Sequence, residues 1–142
     1  MAGIGNKGVV AREAVAEGEL LLKTSTVSAI RNKTIKKGDV ITVAQTAGIQ
    51  AAKNTWNIIP LCHQIPLHHI SITFKLKDDR VICACTVKAD YKTGVEMEAL
   101  VGVTTALLTV WDMVKYLEKD RDGQYSETRM ANIRVTKKRK GV

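Results

Sequence analysis

The sequence predicts a two-layer α+β sandwich, an antiparallel sheet with helices on one face. Three observations predict it. Apolar residues recur at helical spacing, Ala99, Leu100, Val103, Leu107, Val110, Val114 and Leu117, as one stripe along a long rod. Ile70, Ile72, Phe74 and Leu76, then Val81, Cys83, Cys85, Val87 and Ala89, alternate with other residues as two arms of a hairpin turned at Lys77-Asp78-Asp79. Extended segments stand near both ends of the chain. The order is therefore strand, helices, hairpin, helix, strand, which buries one sheet face under helices. That split β-α-β order is the ferredoxin-like one.

Each element has its own signal. Met1 to Lys7 is small and polar, an arm rather than an element. Arg12 to Leu22 reads as extended, broken at Gly18. Thr24-Ser25-Thr26 suits the cap of a short helix over Val27 to Arg31, and Lys33 to Gly38 is a basic turn. Asp39 is an N-cap. Behind it Val40, Val43, Ala44, Ala47, Ala51 and Ala52 form a helical stripe reaching towards Trp56, with Gly48 at the closest approach to a neighbour. Pro60 ends that region, and Pro60 and Pro66 stiffen the loop that carries Cys62, His63 and Gln64. His68 and His69 fall at a strand start, as surface groups. Thr93 opens the long helix, with Glu96 three residues on as in a capping box. Glu118 to Gln124 reads as a polar loop and Arg129 to Val135 as the last strand, before the basic end Lys137-Lys138-Arg139-Lys140.

Composition bounds the function. The length, 142 residues, suits one domain, residues 1–142. The sequence offers no uncharged apolar run of about twenty residues and no signal-peptide segment, so a cytoplasmic protein without a membrane span is expected. The cysteines number three and lack Cys-x-x-Cys spacing, so neither a metal site nor a disulfide framework is expected. Net charge is +8, which favours an anionic partner. The single Phe, three Tyr and two Trp weigh against a reader of single-stranded nucleic acid.

Gly-x-x-x-x-Gly-Lys, Gly-x-Gly-x-x-Gly and Gly-x-Ser-x-Gly motifs are all missing from the sequence. What stands out is a set of cations, Arg12, Lys37, Lys53, Lys115 and the basic end Lys137 to Lys140, with Glu96, Glu98, Asp112 and His63. That mixture suits a phosphorylated substrate whose reaction moves protons. Plainer explanations exist for several of them: a cap for Glu96, a hydrogen bond to a carbonyl for His63, an i, i+3 ion pair for Asp112 and Lys115. Fourteen residues separate Glu98 from Asp112, about 21 Å along a helix axis. One small substrate cannot touch both within one chain. A basic RNA-binding module is the alternative reading, and a non-catalytic scaffold a third.

Five spaced blocks, in order, carry a resemblance: Lys37-Gly38-Asp39-Val40, Ala47-Gly48-Ile49-Gln50-Ala51-Ala52-Lys53, Ile59-Pro60-Leu61-Cys62-His63, Thr93-Gly94-Val95-Glu96-Met97-Glu98-Ala99-Leu100 and Asp112-Met113-Val114-Lys115. They resemble the motifs of the cyclic pyranopterin monophosphate synthase family, the molybdenum cofactor biosynthesis protein C family. The resemblance implies a lyase that takes a cyclised dihydro-GTP to cyclic pyranopterin monophosphate, with loss of pyrophosphate. It implies a hexamer, a trimer of dimers, with sites at subunit contacts. It implies no cofactor, no nucleic-acid partner and a nucleotide-derived small molecule as substrate. By motif, Asp112 is the catalytic acid or base, with Lys115 and Lys37 beside it. Leu61, Cys62, His63, Met97 and Glu98 line the substrate pocket with Glu96, and Arg12 and Lys138 join Lys37 as holders of phosphate. Two departures stand out. Gln64 replaces a usual proline, and Ala2-Gly3-Ile4-Gly5 replaces a Val-Asp-Val-Ser-like segment.

Overall fold

The structure is a computed structural model and describes residues 1–141. Eight elements follow in order: β1 (Val10–Leu21), α1 (Thr24–Arg31), α2 (Val40–Lys53), α3 (Thr55–Ile58), β2 (His69–Leu76), β3 (Arg80–Tyr91), α4 (Glu96–Glu118) and β4 (Arg129–Lys140). The strands form one sheet in the order β2-β3-β1-β4. Every pairing is antiparallel. The two chain-terminal strands therefore lie side by side, and the central hairpin extends the sheet on the other flank.

Alternation decides which face is covered. Ala14, Ala16 and Leu20 of β1 face the helices together with Val81, Cys83, Cys85, Val87 and Ala89 of β3, all fully buried. Ala99, Val103, Ala106, Leu107, Val110 and Val114 of α4 close over them. By length and composition α4 could cross a membrane. Here its stripe is taken up by the sheet on one side and by α2 on the other. Gly48 of α2 is the reason the two helices approach so closely. A Cβ there would meet the Gly102 carbonyl oxygen of α4 at 2.9 Å and the Ile72 side chain.

Several local expectations change. Lys23, without a side-chain cap, precedes α1, which already includes Thr24 to Thr26. Asp39 does cap α2, accepting from Thr42 N–H at 3.1 Å. The buried edge of α2 is Val40, Ala44, Gly48 and Ala52, while Val43 is turned outward. The helix stops at Lys53, and Trp56 belongs to the separate short α3. Gly18 does not break β1. The strand runs through it because a side chain there would collide with Ile133 and crowd Leu107. Val95, not Thr93, is the N-cap of α4, and Glu96 folds back over Gly94, where a Cβ would lie 3.1 Å from its Cδ. The basic end continues β4 to Lys140, paired with Arg12. A left-handed Asn132 and irregular register opposite Gly18 reset the strand first.

Glu118 is the largest surprise. The sequence places it in a polar loop, yet it ends α4 with no exposed surface. Its carboxylate accepts from the Lys23 N–H at the start of α1 (3.2 Å), from Thr26 Oγ1, and from Thr128 Oγ1 (2.7 Å) just before β4. One buried acid thus ties three segments together, and it sits at a helix N-terminus, where negative charge is favoured.

Glu118→Ala leaves those donors buried and unpaired. The expected loss is about 3 kcal/mol or more, from roughly 1–3 kcal/mol for each orphaned group, read from the denaturant midpoint. Gly48→Leu overpacks the α2–α4 contact. An expected cost of about 1–3 kcal/mol should appear in the same measurement, and an unchanged midpoint would contradict the close approach.

Candidate functional site

Apart from Lys53, which lines a separate hollow with the Pro60–Pro66 loop, the charged residues singled out in the sequence gather in two groups at opposite ends of α4. The first lies at its amino end. Lys7, Arg12, Lys92, Glu96, Lys138 and Lys140 line a cavity of about 430 Å³ with Gly8 and the Thr93-Gly94 turn. Strand pairing builds it: Arg12 stands opposite Ala89 on one side and Lys140 on the other. Arg12 Nε donates to the Tyr91 carbonyl at 3.3 Å, and Lys138 Nζ pairs with Glu96 Oε1 at 3.0 Å. Burial opposes the charge on Glu96, but its own backbone N–H, Lys138 and Arg12 outweigh that and hold its pKa below the ordinary range.

Glu98, two residues on, has the contrary environment. It is 3% exposed and no cation pairs with it, and its Oε2, like that of Glu96, is buried without a hydrogen-bond partner. Burial, with the Glu96 charge adding to it, pushes its pKa up to about 7. Two neighbouring acids are thus driven apart, one firmly ionised and one poised near neutrality, which is the arrangement acid–base chemistry uses. Cys62 belongs to this group. Burial and the charges of Glu98 and Glu96 raise its pKa, so it remains a neutral thiol.

The Pro60–Pro66 loop is anchored by Ile65, 7% exposed. It offers Leu61 to solvent, with Cys62 and His63 half-buried. Met97 lies exposed on the first turn of α4, beside the glutamates. Gln64 lines a hollow with Lys53, Pro66 and Leu67.

The second group lies at the carboxyl end of α4. Asp112 Oδ1 receives Lys115 Nζ at 2.9 Å, the i, i+3 pair. Its Oδ2 receives Lys37 Nζ at 3.3 Å, and Lys37 also donates to the Asp112 carbonyl at 3.0 Å. Lys37 comes from the α1–α2 loop, 75 residues away in sequence. Lys115 and Lys37 together lower the Asp112 pKa, and Asp112 raises that of Lys115. All three groups remain open to solvent. They form a carboxylate between two ammonium groups, suited to an anionic ligand and to proton transfer.

Within the chain the two groups do not meet. A larger hollow of about 530 Å³, at the far end of β1, is lined by Leu21, Lys23, Asp79 and Arg129 and holds none of the residues named from the sequence as site candidates. The sequence marks Arg12 and the basic end that holds Lys138 and Lys140, but gives no signal for Lys7 and Lys92, the other cations of the first cavity. Pairing of β1 with β4 brings Lys138 and Lys140 beside Arg12, pairing of β1 with β3 brings Lys92 to the same end, and the Lys92 ammonium donates to the Gly5 carbonyl of the amino-terminal arm at 3.1 Å. Among the described residues no group of three or more His, Cys, Asp or Glu side chains is placed to hold a metal ion.

Comparison with known proteins agrees with the blocks in the sequence. The MoaC family model matches residues 1–141. A relative from Methanothermobacter thermautotrophicus is 56% identical over 99% of this chain and 88% of its own, and is named a probable cyclic pyranopterin monophosphate synthase accessory protein. One from Thermococcus kodakarensis is 55% identical over 99% of this chain and 90% of its own. One from Thermoplasma acidophilum is 49% identical over 99% and 98%. Both of these are named probable cyclic pyranopterin monophosphate synthases. None of these names points to an RNA-binding module.

The raised pKa of Glu98 has a stability consequence with a definite sign. The folded value, about 7, exceeds the ordinary 4.5. Between them the folded chain holds the extra proton, so Glu98 lowers stability progressively as pH rises through that window. Glu98→Gln, neutral throughout, is expected to melt above the parent at pH 8 and level with it below about pH 4.5. Melting curves that differ equally at both ends would reject the assignment.

Proposed function

Because the chain belongs to the MoaC family, we propose that it converts 3',8-cyclo-7,8-dihydroguanosine triphosphate to cyclic pyranopterin monophosphate with release of pyrophosphate, as a cyclic pyranopterin monophosphate synthase, a phosphorus–oxygen lyase of molybdenum cofactor biosynthesis. The observation that carries the site reading is the separation of charge along α4. Cations and acids lie at both ends of a rigid helix too long for one substrate to span. Each end by itself is incomplete. The amino end has the neutral thiol, the Glu96–Glu98 pair and the cations Arg12 and Lys138. The carboxyl end has Asp112 with Lys37 and Lys115.

Two copies laid antiparallel at such ends would complete each other. That complementarity supports a homo-oligomer; the family resemblance adds the hexamer, a trimer of dimers, acting in the cytoplasm with one domain per copy. In that site Leu61, Cys62, His63 and Met97 enclose the base and ribose, and Glu98 and Glu96 exchange protons with the purine ring being opened. Asp112 is the acid or base of the phosphate step. Lys37, Lys115, Arg12 and Lys138 bind the triphosphate. Departure of pyrophosphate gathers negative charge on its oxygens. Fixed ammonium and guanidinium groups stabilise that charge more in the transition state than in the ground state.

The purified chain given the cyclised dihydro-GTP is expected to release pyrophosphate. Lys37→Gln and Arg12→Gln are each expected to lower turnover by about 100-fold or more with little change in melting temperature. Oligomers co-assembled from Asp112→Asn and Arg12→Gln chains are expected to regain part of the lost activity, since some sites then draw both intact groups from different copies. Unchanged turnover in the single variants would refute the roles given to these residues. Mixed oligomers as inactive as their parents would refute a shared site.

A further inference from the structure

Lys37 has to be placed by something other than itself. It stands in the loop between α1 and α2, exposed, on a side chain with four rotatable bonds, and its partner Asp112 is equally exposed. Of the stretch Lys33 to Asp39, only Ile35 is buried in the core, at 7% exposure. The loop closes on itself through Gly38 N–H to the Ile35 carbonyl at 3.2 Å. Lys36 and Lys37 are therefore the two central residues of a four-residue turn, and the amide of such a residue ordinarily points to water. Here it does not. The Lys36 N–H donates to Tyr116 Oη at 2.9 Å. The Lys36 ammonium also lies over the Tyr116 ring, 5.5 Å from its centre.

Tyr116 and Asp112 are four residues apart on α4, so they share one helical face one turn apart. The same face that receives the Lys37 ammonium at Asp112 thus grips the backbone just before Lys37 at Tyr116. The turn is held at two points on a rigid core helix. Held only by the lysine, it would carry Lys37 through many rotamers.

We infer that Tyr116 is a positioning residue for the reaction: its hydroxyl fixes the Lys36–Lys37 turn on α4 so that Lys37 meets Asp112 and the substrate phosphates ready-placed. This rests on the role given to Lys37 in the preceding section. It assigns a function to a residue that lies in none of the five blocks and that touches no reacting atom. The effect belongs to kcat more than to KM, because a misplaced cation loses most where charge is developing.

Tyr116→Phe isolates the contact, since it keeps the ring beside Lys36 and removes only the acceptor. The expected result is a fall in kcat of about 2- to 10-fold, the worth of one hydrogen bond. KM for the cyclised dihydro-GTP should move less than kcat, and the melting temperature should hold, because both partners are exposed. The charged groups facing Asp112 are Lys37 from the loop and Lys115 from its own helix, with Tyr125 near Lys115 and Lys36 over Tyr116. Loosening Lys37 removes one of the two cations that lower the Asp112 pKa, so the acid limb of the pH–rate profile should move to higher pH. In a Lys37→Gln background, Tyr116→Phe should add nothing further.

The outcomes separate. If Lys37→Gln alone leaves turnover intact, the role of Lys37 is wrong and the tether loses its purpose with it. If Lys37→Gln is impaired but Tyr116→Phe matches the parent in kcat and pH profile, the positioning inference is overturned while the site stands. Losses that add in the double variant, or that track a lowered melting temperature, assign Tyr116 a merely structural role and overturn it equally.

Discussion

The packing of α4 between the sheet and α2 is the constraint on which the rest of the molecule depends. The contact is dry and close because small residues meet there, Gly48 and Ala52 against Gly102 and Ala106. A helix held along its length by such contacts is a rigid ruler, and rigidity fixes what its two ends can do. The amino end receives cations delivered by paired strands. The carboxyl end receives Lys37 from a loop and is closed by the buried Glu118. Neither group can drift towards the other, and that immobility makes a site shared between copies the economical reading.

Charge at the two ends is handled in different ways. At the amino end, burial separates two acids of the same type. Glu96 leans on Lys138 and Arg12 and remains ionised, while Glu98, more deeply enclosed and beside the Glu96 charge, is poised near neutrality. At the carboxyl end Lys37, Asp112 and Lys115 are all exposed, and Asp112 is tuned by the two ammonium groups. Exposed pairs of this kind contribute little to folding. Their alignment is therefore better understood through the anion they can receive, and through the Tyr116 contact that holds one of them in place, than as reinforcement of the fold.

Much of this was legible in the chain. The hairpin, the long stripe and the Asp39 cap follow from alternation, periodicity and capping chemistry, which are local. So does the close approach at Gly48, because a run of small residues in a helical stripe signals tight packing. What was not legible is non-local. Glu118 looks like any polar residue after a helix until the start of α1, with Lys23 and Thr26, and Thr128 before β4 converge on it. Thr93 has the right chemistry for a cap, yet Val95 is the N-cap and Glu96 lies over Gly94 and pairs with Lys138, a strand-borne partner remote in sequence. In sequence the basic end is a tail, since lysine and arginine carry no strand signal. It is a strand because Val15, Ala14 and Arg12 offer an unpaired edge for it to complete.

The sequence by itself determined the fold class, the order of elements and, through five spaced blocks, the family. Those rest on side-chain periodicity and on residue types at fixed offsets, which need no third dimension. Only the tertiary structure decided which charges are neighbours. Lys37 meets Asp112, Lys138 meets Glu96, and Arg12 joins that same cavity because antiparallel pairing and one rigid helix bring distant segments into contact. The state of ionisation of Glu98 was decided there too, since it depends on how completely water is excluded from a carboxylate, and that is a property of the packed molecule rather than of any stretch of chain.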